Sequence, residues 1–266
     1  MFSRWLTAAA FTVALDSVSI AEDCANCKDG KVCLSHEAGD DIAIKEADIK
    51  FKTKDMMGKR EAIHSLEAAQ LKHMNVRSKK ITMSLAKALA DSDVDVKMLA
   101  AEKISTLGDP VVAVQGLKSQ TAYYKKLIGT TKPKKEKELP AWESNLKLLT
   151  AMYDTLGVVK DPAAAGPFVE DLTDTSPFVA KAAADATGPF KGNKEIIREL
   201  WAGLNKWLGP SQQVARPEGS FEAFIAMSQA LEKLVDDPPK GLSGKTQPQQ
   251  MSLWNPWWRA NEAKYK

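Results

Sequence analysis

From Gly58 onward, apolar residues recur at helical spacing almost without interruption. Ile63, Leu66, Leu71 and Met74 form one stripe, Ile81, Leu85 and Leu89 the next, and Val96, Ala100, Ile104 and Leu107 a third. Leu146, Leu149, Tyr153 and Leu156 continue the series. Ile197, Leu200, Trp201, Leu204, Trp207 and Leu208 make its broadest face. Phe221, Phe224, Ile225, Leu231 and Val235 close it, with one polar interruption at Ser228. Asp109-Pro110, Asp161-Pro162 and Ser176-Pro177 each set a capping side chain before a proline suited to the first helical position. These signals predict helices near 58–72, 76–90, 94–107, 110–128, 142–157, 162–173, 177–187, 193–208 and 220–236. Helices this short, joined by short connections, pack antiparallel to their chain neighbours, so the expected class is all-α.

The chain also echoes itself. The segment Ala90 to Ala101 aligns with Thr173 to Ala184 at an offset of 83 residues, about two periods of a 40-residue helix-pair repeat. Ser105-Thr106-Leu107-Gly108 and Asp154-Thr155-Leu156-Gly157 match as helix ends that precede an Asp-Pro start. Asp91 to Leu117, and again Asp161 to Leu208, resemble the HEAT-repeat family, particularly its short secreted bacterial forms. The resemblance rests on an acidic turn, a valine, an alanine-rich helix ending in Leu-Gly, then Asp-Pro. Its usual Val-Arg step stands as Val96-Lys97 and Val179-Ala180. The resemblance covers roughly 58–236 and implies an α-solenoid of about four helix pairs plus a C-terminal helix. It also implies a binding or scaffolding role with a protein partner on the concave face.

Several segments flank or interrupt this stack. Asp48 to Lys54 alternates apolar residues with lysines and reads as an exposed strand or an extended strap. Lys125, Lys126, Lys132, Lys134, Lys135 and Lys137 read as a solvated loop, with contact to an anionic surface as the functional alternative. Asp236 to Ser252 reads as a linker, and Trp254, Trp257 and Trp258 as an end cap or an aromatic anchor. Gly241 to Thr246 mimics half a P-loop. Pro239 stands where the first glycine belongs, and neither a strand before nor a helix after is expected. Asp91, Asp93, Asp95 and Glu102 match calcium-loop positions, but Val96 replaces the required glycine, so the acids read as helix-start residues. His64 and His73 share no helix face and read as solvent-edge residues.

The first residues change the compartment. Arg4 precedes an apolar run from Trp5 to Leu15, far short of the ~20 residues a membrane span needs. Ser19 and Ala21 then supply small residues where a signal peptidase reads, so 1–21 is expected to be a signal peptide and the mature chain periplasmic or extracellular. The remaining divisions are a Cys/His segment at 22–57, the solenoid at 58–236, and a linker with a Trp-rich tail at 237–266. No later run suits a transmembrane span. Over 266 residues, 37 Lys and Arg against 34 Asp and Glu leave +3, too weak for a specific nucleic-acid binder.

All three cysteines crowd just after the expected cleavage point, as Cys24, Cys27 and Cys33, followed by His36. The C-x2-C-x5-C-x2-H spacing is a legitimate tetrahedral zinc set, and a metal would order a stretch too small to build a core. Export argues instead for one disulfide and a spare thiol. Cys24 to Lys28 is similar to the lysine variant of covalent haem attachment in some multihaem nitrite reductases, but haem is disfavoured because no second attachment motif exists. No catalytic set of serine, histidine and acid stands out. The expected function is a non-enzymatic binding scaffold with a Cys/His clasp. The competing reading is a thiol-redox or electron-transfer protein centred on those cysteines.

Overall fold

A computed structural model describes Cys27 and residues 31–73, 76–159 and 161–266. The expected signal peptide at 1–21 lies outside the described residues, as does Cys24. The described chain is all helical, with eleven α-helices and no strand. They are α1 (Leu34–Lys50), α2 (Met56–Leu71), α3 (Lys79–Ala88), α4 (Val94–Leu107), α5 (Pro110–Ile128) and α6 (Leu139–Val158). Then follow α7 (Ala165–Asp171), α8 (Pro177–Asp185), α9 (Lys194–Gln212), α10 (Ser220–Leu234) and α11 (Gln247–Tyr265).

Side-chain caps set several of the starts. Ser78, Asp93 and Asp109 accept hydrogen bonds from the backbone N–H of Ile81, Val96 and Val112, and Asn193 accepts from Glu195 and Ile196. Pro110 occupies the first turn of α5 as its fixed φ allows. Asp161 caps a single 3-10 turn at Pro162–Ala164, so the helix expected at 162–173 is a short turn followed by α7. Ser176 stands at the start of α8, but its hydroxyl makes no capping bond.

The helices stack in one dimension. Packing runs within the pairs α1–α2, α3–α4, α5–α6, α7–α8 and α9–α10, and between helices two places along, except that α5 meets the 3-10 turn just before α7 in place of α7 itself. Odd-numbered helices thus form one layer, even-numbered helices the other, and α11 closes the end against α9 and α10. This is a solenoid-like arrangement, with five pairs where about four were expected. A continuous core runs between the layers, including fully buried Ile63, Leu66, Leu85, Leu117, Leu149, Phe168, Leu204 and Phe224. Each such side chain contributes about 1.5–3 kcal/mol by leaving water. Close approach is part of the design. A Cβ on Gly203 of α9 would lie 2.7 Å from the Leu172 carbonyl oxygen and 3.0 Å from Met227 Sδ.

The internal echo has a physical content. The Asp91 carboxylate accepts the Asp93 N–H at 2.9 Å, and 83 residues on, Asp174 accepts the Ser176 N–H at 2.8 Å. Each acid also meets a lysine from an earlier helix, Lys59 at 2.7 Å and Lys125 at 3.0 Å. Asp93 caps α4, the helix-start role expected of these acids, while Asp95 pairs with Arg60, an inter-helix role not foreseen in the sequence.

Four local expectations are corrected. Asp48–Lys50 end α1, and the following residues turn, so 48–54 is neither strand nor strap. The extended reading failed because α1 buries a stripe of Asp40, Ala43 and Ala47, two small residues and an acid that do not register as apolar. The supposed linker ends at Thr246, where α11 starts with a reciprocal capping box between Thr246 and Gln249. A helix therefore does follow Gly241–Thr246, but Thr246 is committed to that cap. The histidines part company: His64 is exposed and bonded to Glu67, whereas His73 is buried.

The tryptophan tail is a cap. Trp254 is fully buried, and its indole N–H donates to Ser228 Oγ at 2.9 Å. Ser228 in turn donates to Gln250 Oε1 at 2.7 Å, so the polar interruption in the α10 stripe is the point where α11 is fastened. Trp258 stacks on Trp201 of α9 at 4.8 Å between ring centroids.

Candidate metal centre

Cys33 ends the extended approach to α1 and stands at its N-cap, where its carbonyl accepts the Glu37 N–H at 2.8 Å. One turn on, His36 faces back toward Cys27, whose Sγ lies 3.4 Å from His36 Nδ1. Cys27 Sγ also accepts the Cys33 N–H at 3.4 Å, and Cys33 Sγ lies 3.2 Å from the Ser35 hydroxyl.

One donor atom from each of Cys27, Cys33 and His36 lies within 4.8 Å of the others, close enough to hold a metal ion. Bonds of ~2.3 Å to sulfur and ~2.0–2.1 Å to nitrogen at tetrahedral angles place a sulfur–nitrogen edge at about 3.5 Å. The Cys27–His36 separation of 3.4 Å matches that edge. Cys24, the fourth residue of the expected set, lies outside the described residues.

Behind the ligands stands a buried polar network that periodicity alone discounts. The His36 ring packs against His73, with centroids 5.1 Å apart and planes tilted by 35°. His73 Nε2 donates to Asp40 Oδ1 at 2.8 Å, and the Ser78 hydroxyl donates to Asp40 Oδ2 at 2.7 Å. The Gln70 side chain accepts the Ser78 N–H and donates to the Val76 carbonyl, both at 2.8 Å. Asp40, Gln70, His73 and Ser78 are all buried. The ligand-bearing end of α1 is thereby tied to α2 and to the start of α3. The available signal was Asp40 at helical spacing from Ala43 and Ala47, a buried acid that requires a partner.

A second feature lies on the even-helix layer. A groove of about 630 Å³ crosses α2, α4 and α6, bounded by Arg60, Asp95, Leu99, Glu102, Ala151 and Asp154. The surrounding walls and neighbouring Asp185 push the Asp154 carboxyl up from its ordinary value. The lysine run splits. Lys125 is drawn inward to Asp171 and Asp174, and Lys132 approaches Glu218 and the Trp142 ring. Lys126, Lys134, Lys135 and Lys137 remain exposed.

No protein-family model matches the chain, and no curated protein or solved structure does. No described helix is long and apolar enough to cross a membrane.

Proposed function

We propose that this chain is an exported, non-enzymatic scaffold of HEAT-like helix pairs that binds a protein partner along its even-helix layer. The observation that carries this reading is the packing itself. Helices contact near neighbours in chain order, so successive pairs lay out one extended surface, and the even-layer groove crosses three of them. Cys24, Cys27, Cys33 and His36 would hold one structural zinc. That ion would do no chemistry on a substrate: it would order the start of α1 and present the end of the stack in a fixed position.

A photo-crosslinking residue at Ala151, in the groove, tests the binding role against a control at fully exposed Val214. The expected result is one discrete adduct from Ala151 in the native exported fraction, absent from Val214 and lost in Glu102→Lys/Asp154→Lys. Adducts of equal pattern from both positions would refute a groove-directed scaffold. Export is tested by the N-terminal residue of the secreted chain, expected to be Glu22. Native intact mass tests the clasp: one zinc, lost on acidification with exposure of three thiols, supports it. A two-hydrogen deficit with one alkylatable thiol refutes it in favour of a disulfide.

A further inference from the structure

The even-layer groove joins apolar surface to an excess of negative charge. Met98, Leu99 and Ala151 line it, and the carboxylates of Asp95, Glu102 and Asp154 stand around them against one guanidinium, that of Arg60. Asp95 is paired with Arg60 and Glu102 with Lys103, but among the described residues no cation pairs with Asp154. The charge that acts on Asp154 is another carboxylate, Asp185. The same chain carries the opposite surface elsewhere. Tyr123 and Leu127, one turn apart on α5, leave large apolar side chains 52% and 45% exposed. Exposed Lys126 adjoins Leu127, and the loop after α5 exposes Lys134, Lys135 and Lys137 against Glu136 and Glu138. Lys135 pairs with Glu138, whereas Lys126, Lys134 and Lys137 pair with no carboxylate among the described residues. These two surfaces cannot meet within one chain. Helix α5 belongs to the odd layer, and the groove crosses α2, α4 and α6 of the even one. Along α6, Ala151 lies 12 residues beyond Leu139, where the lysine loop ends, a separation of about 18 Å.

Resting on the reading of this groove as a partner-binding surface, we propose that the partner is a second copy of this chain, whose Tyr123–Leu127 patch and flanking lysines seat in the groove. Tyr123 and Leu127 against Met98 and Ala151 supply the burial, while the lysines opposite Glu102 and Asp154 set register and partner choice. The contact is heterologous, patch on groove. A pair of chains therefore keeps one free patch and one free groove, and assembly grows in series instead of closing as a two-fold dimer.

Sedimentation velocity of the full chain from about 5 to about 500 μM covers the weak contacts that small interfaces make. The unaltered chain should pass from monomer to a concentration-dependent series, with affinity falling about tenfold or more from low to high salt. Glu102→Lys/Asp154→Lys breaks the groove, and Tyr123→Ala/Lys126→Ala/Leu127→Ala removes the patch. All these side chains are exposed and alanine favours the helix, so circular dichroism should be unchanged in both. Each variant alone should stay monomeric where the unaltered chain associates. Their equimolar mixture should form a 1:1 dimer and nothing larger, because each retains one intact surface. A monomeric unaltered chain, association undiminished in either variant, or no dimer in the mixture would each overturn the proposal. The crosslinker at Ala151 separates this inference from the broader reading. An adduct of twice the chain mass supports self-pairing. A discrete adduct with a different protein, the purified chain staying monomeric, overturns self-pairing and leaves the scaffold standing, whereas no discrete adduct removes both.

Discussion

Removing the positive half of the Lys59–Asp91 pair should destabilise the chain far more than a surface ion pair would. Lys59 Nζ lies 2.7 Å and 3.0 Å from the two Asp91 oxygens, with the side chains only 7% and 6% exposed. The pair joins α2 to the turn before α4 and so bridges two successive helix pairs. Lys59→Met preserves length and volume but leaves a buried carboxylate held only by the Asp93 N–H and the Ser92 hydroxyl. Breaking a buried pair from one side costs about 3–5 kcal/mol. In a chain of this size that is a fall of about 6–20 °C in the thermal midpoint. Lys59→Met/Asp91→Asn should recover part of the loss, because the stranded charge is gone while the turn keeps its acceptor.

The same pair sets a pH dependence whose sign can be worked out. Burial works to raise the Asp91 carboxyl, but the lysine and the Asp93 N–H outweigh it and hold the group below its ordinary value. A depressed folded-state value means stability that is complete above the unfolded carboxyl's ~3.9 and is lost as pH falls through the folded value. In Lys59→Met burial acts without the cation, so protonation relieves the variant as the pH drops. Urea unfolding at neutral pH and near pH 3 should show the gap between the two proteins closing in acid. A deficit under about 1 kcal/mol at neutral pH, or an equal deficit at both, would refute the reasoning.

Ser228→Ala should detach the end cap: it orphans the Trp254 indole N–H and a Gln250 oxygen, costing about 2–4 kcal/mol, with amide exchange rising in α11 before α9. Gly203→Val should cost more than 2 kcal/mol by chemical denaturation, because even a Cβ meets the Leu172 carbonyl oxygen at 2.7 Å and that backbone has no flexible end to move. Cys27→Ala or His36→Ala should abolish the zinc measured by elemental analysis, whereas His64→Ala, exposed and remote from the cysteines, should leave one ion per chain.

What the sequence shows, and what it conceals, divides along a physical line. The stripes of isoleucine, leucine and phenylalanine in α2 to α10 could be seen because large apolar residues at period 3.6 have few uses other than a core. Asp93, Asp109 and Asn193 mark starts because a capping side chain acts within three residues of its own position. Helices α1 and α11 do not fit that pattern. The first buries alanines around Asp40, and the second opens on Gln247-Pro248-Gln249-Gln250, which has linker composition. Yet Gln249 completes the capping box, and Gln250 is buried between Ser228 and the Lys245 carbonyl. His73 is the same case at the candidate metal centre, since its value depends on Asp40, 33 residues earlier. A polar residue on a buried face carries its meaning in a partner that periodicity cannot supply. Each one, Asp40, His73, Ser228 and Gln250, would carry a desolvation cost of order 1–3 kcal/mol if it were left unpaired. Interruptions of an apolar stripe are therefore the positions to interrogate first: here Ser228 and Gln250 hold the cap in place, and Asp40 and His73 stand directly behind the candidate metal ligands.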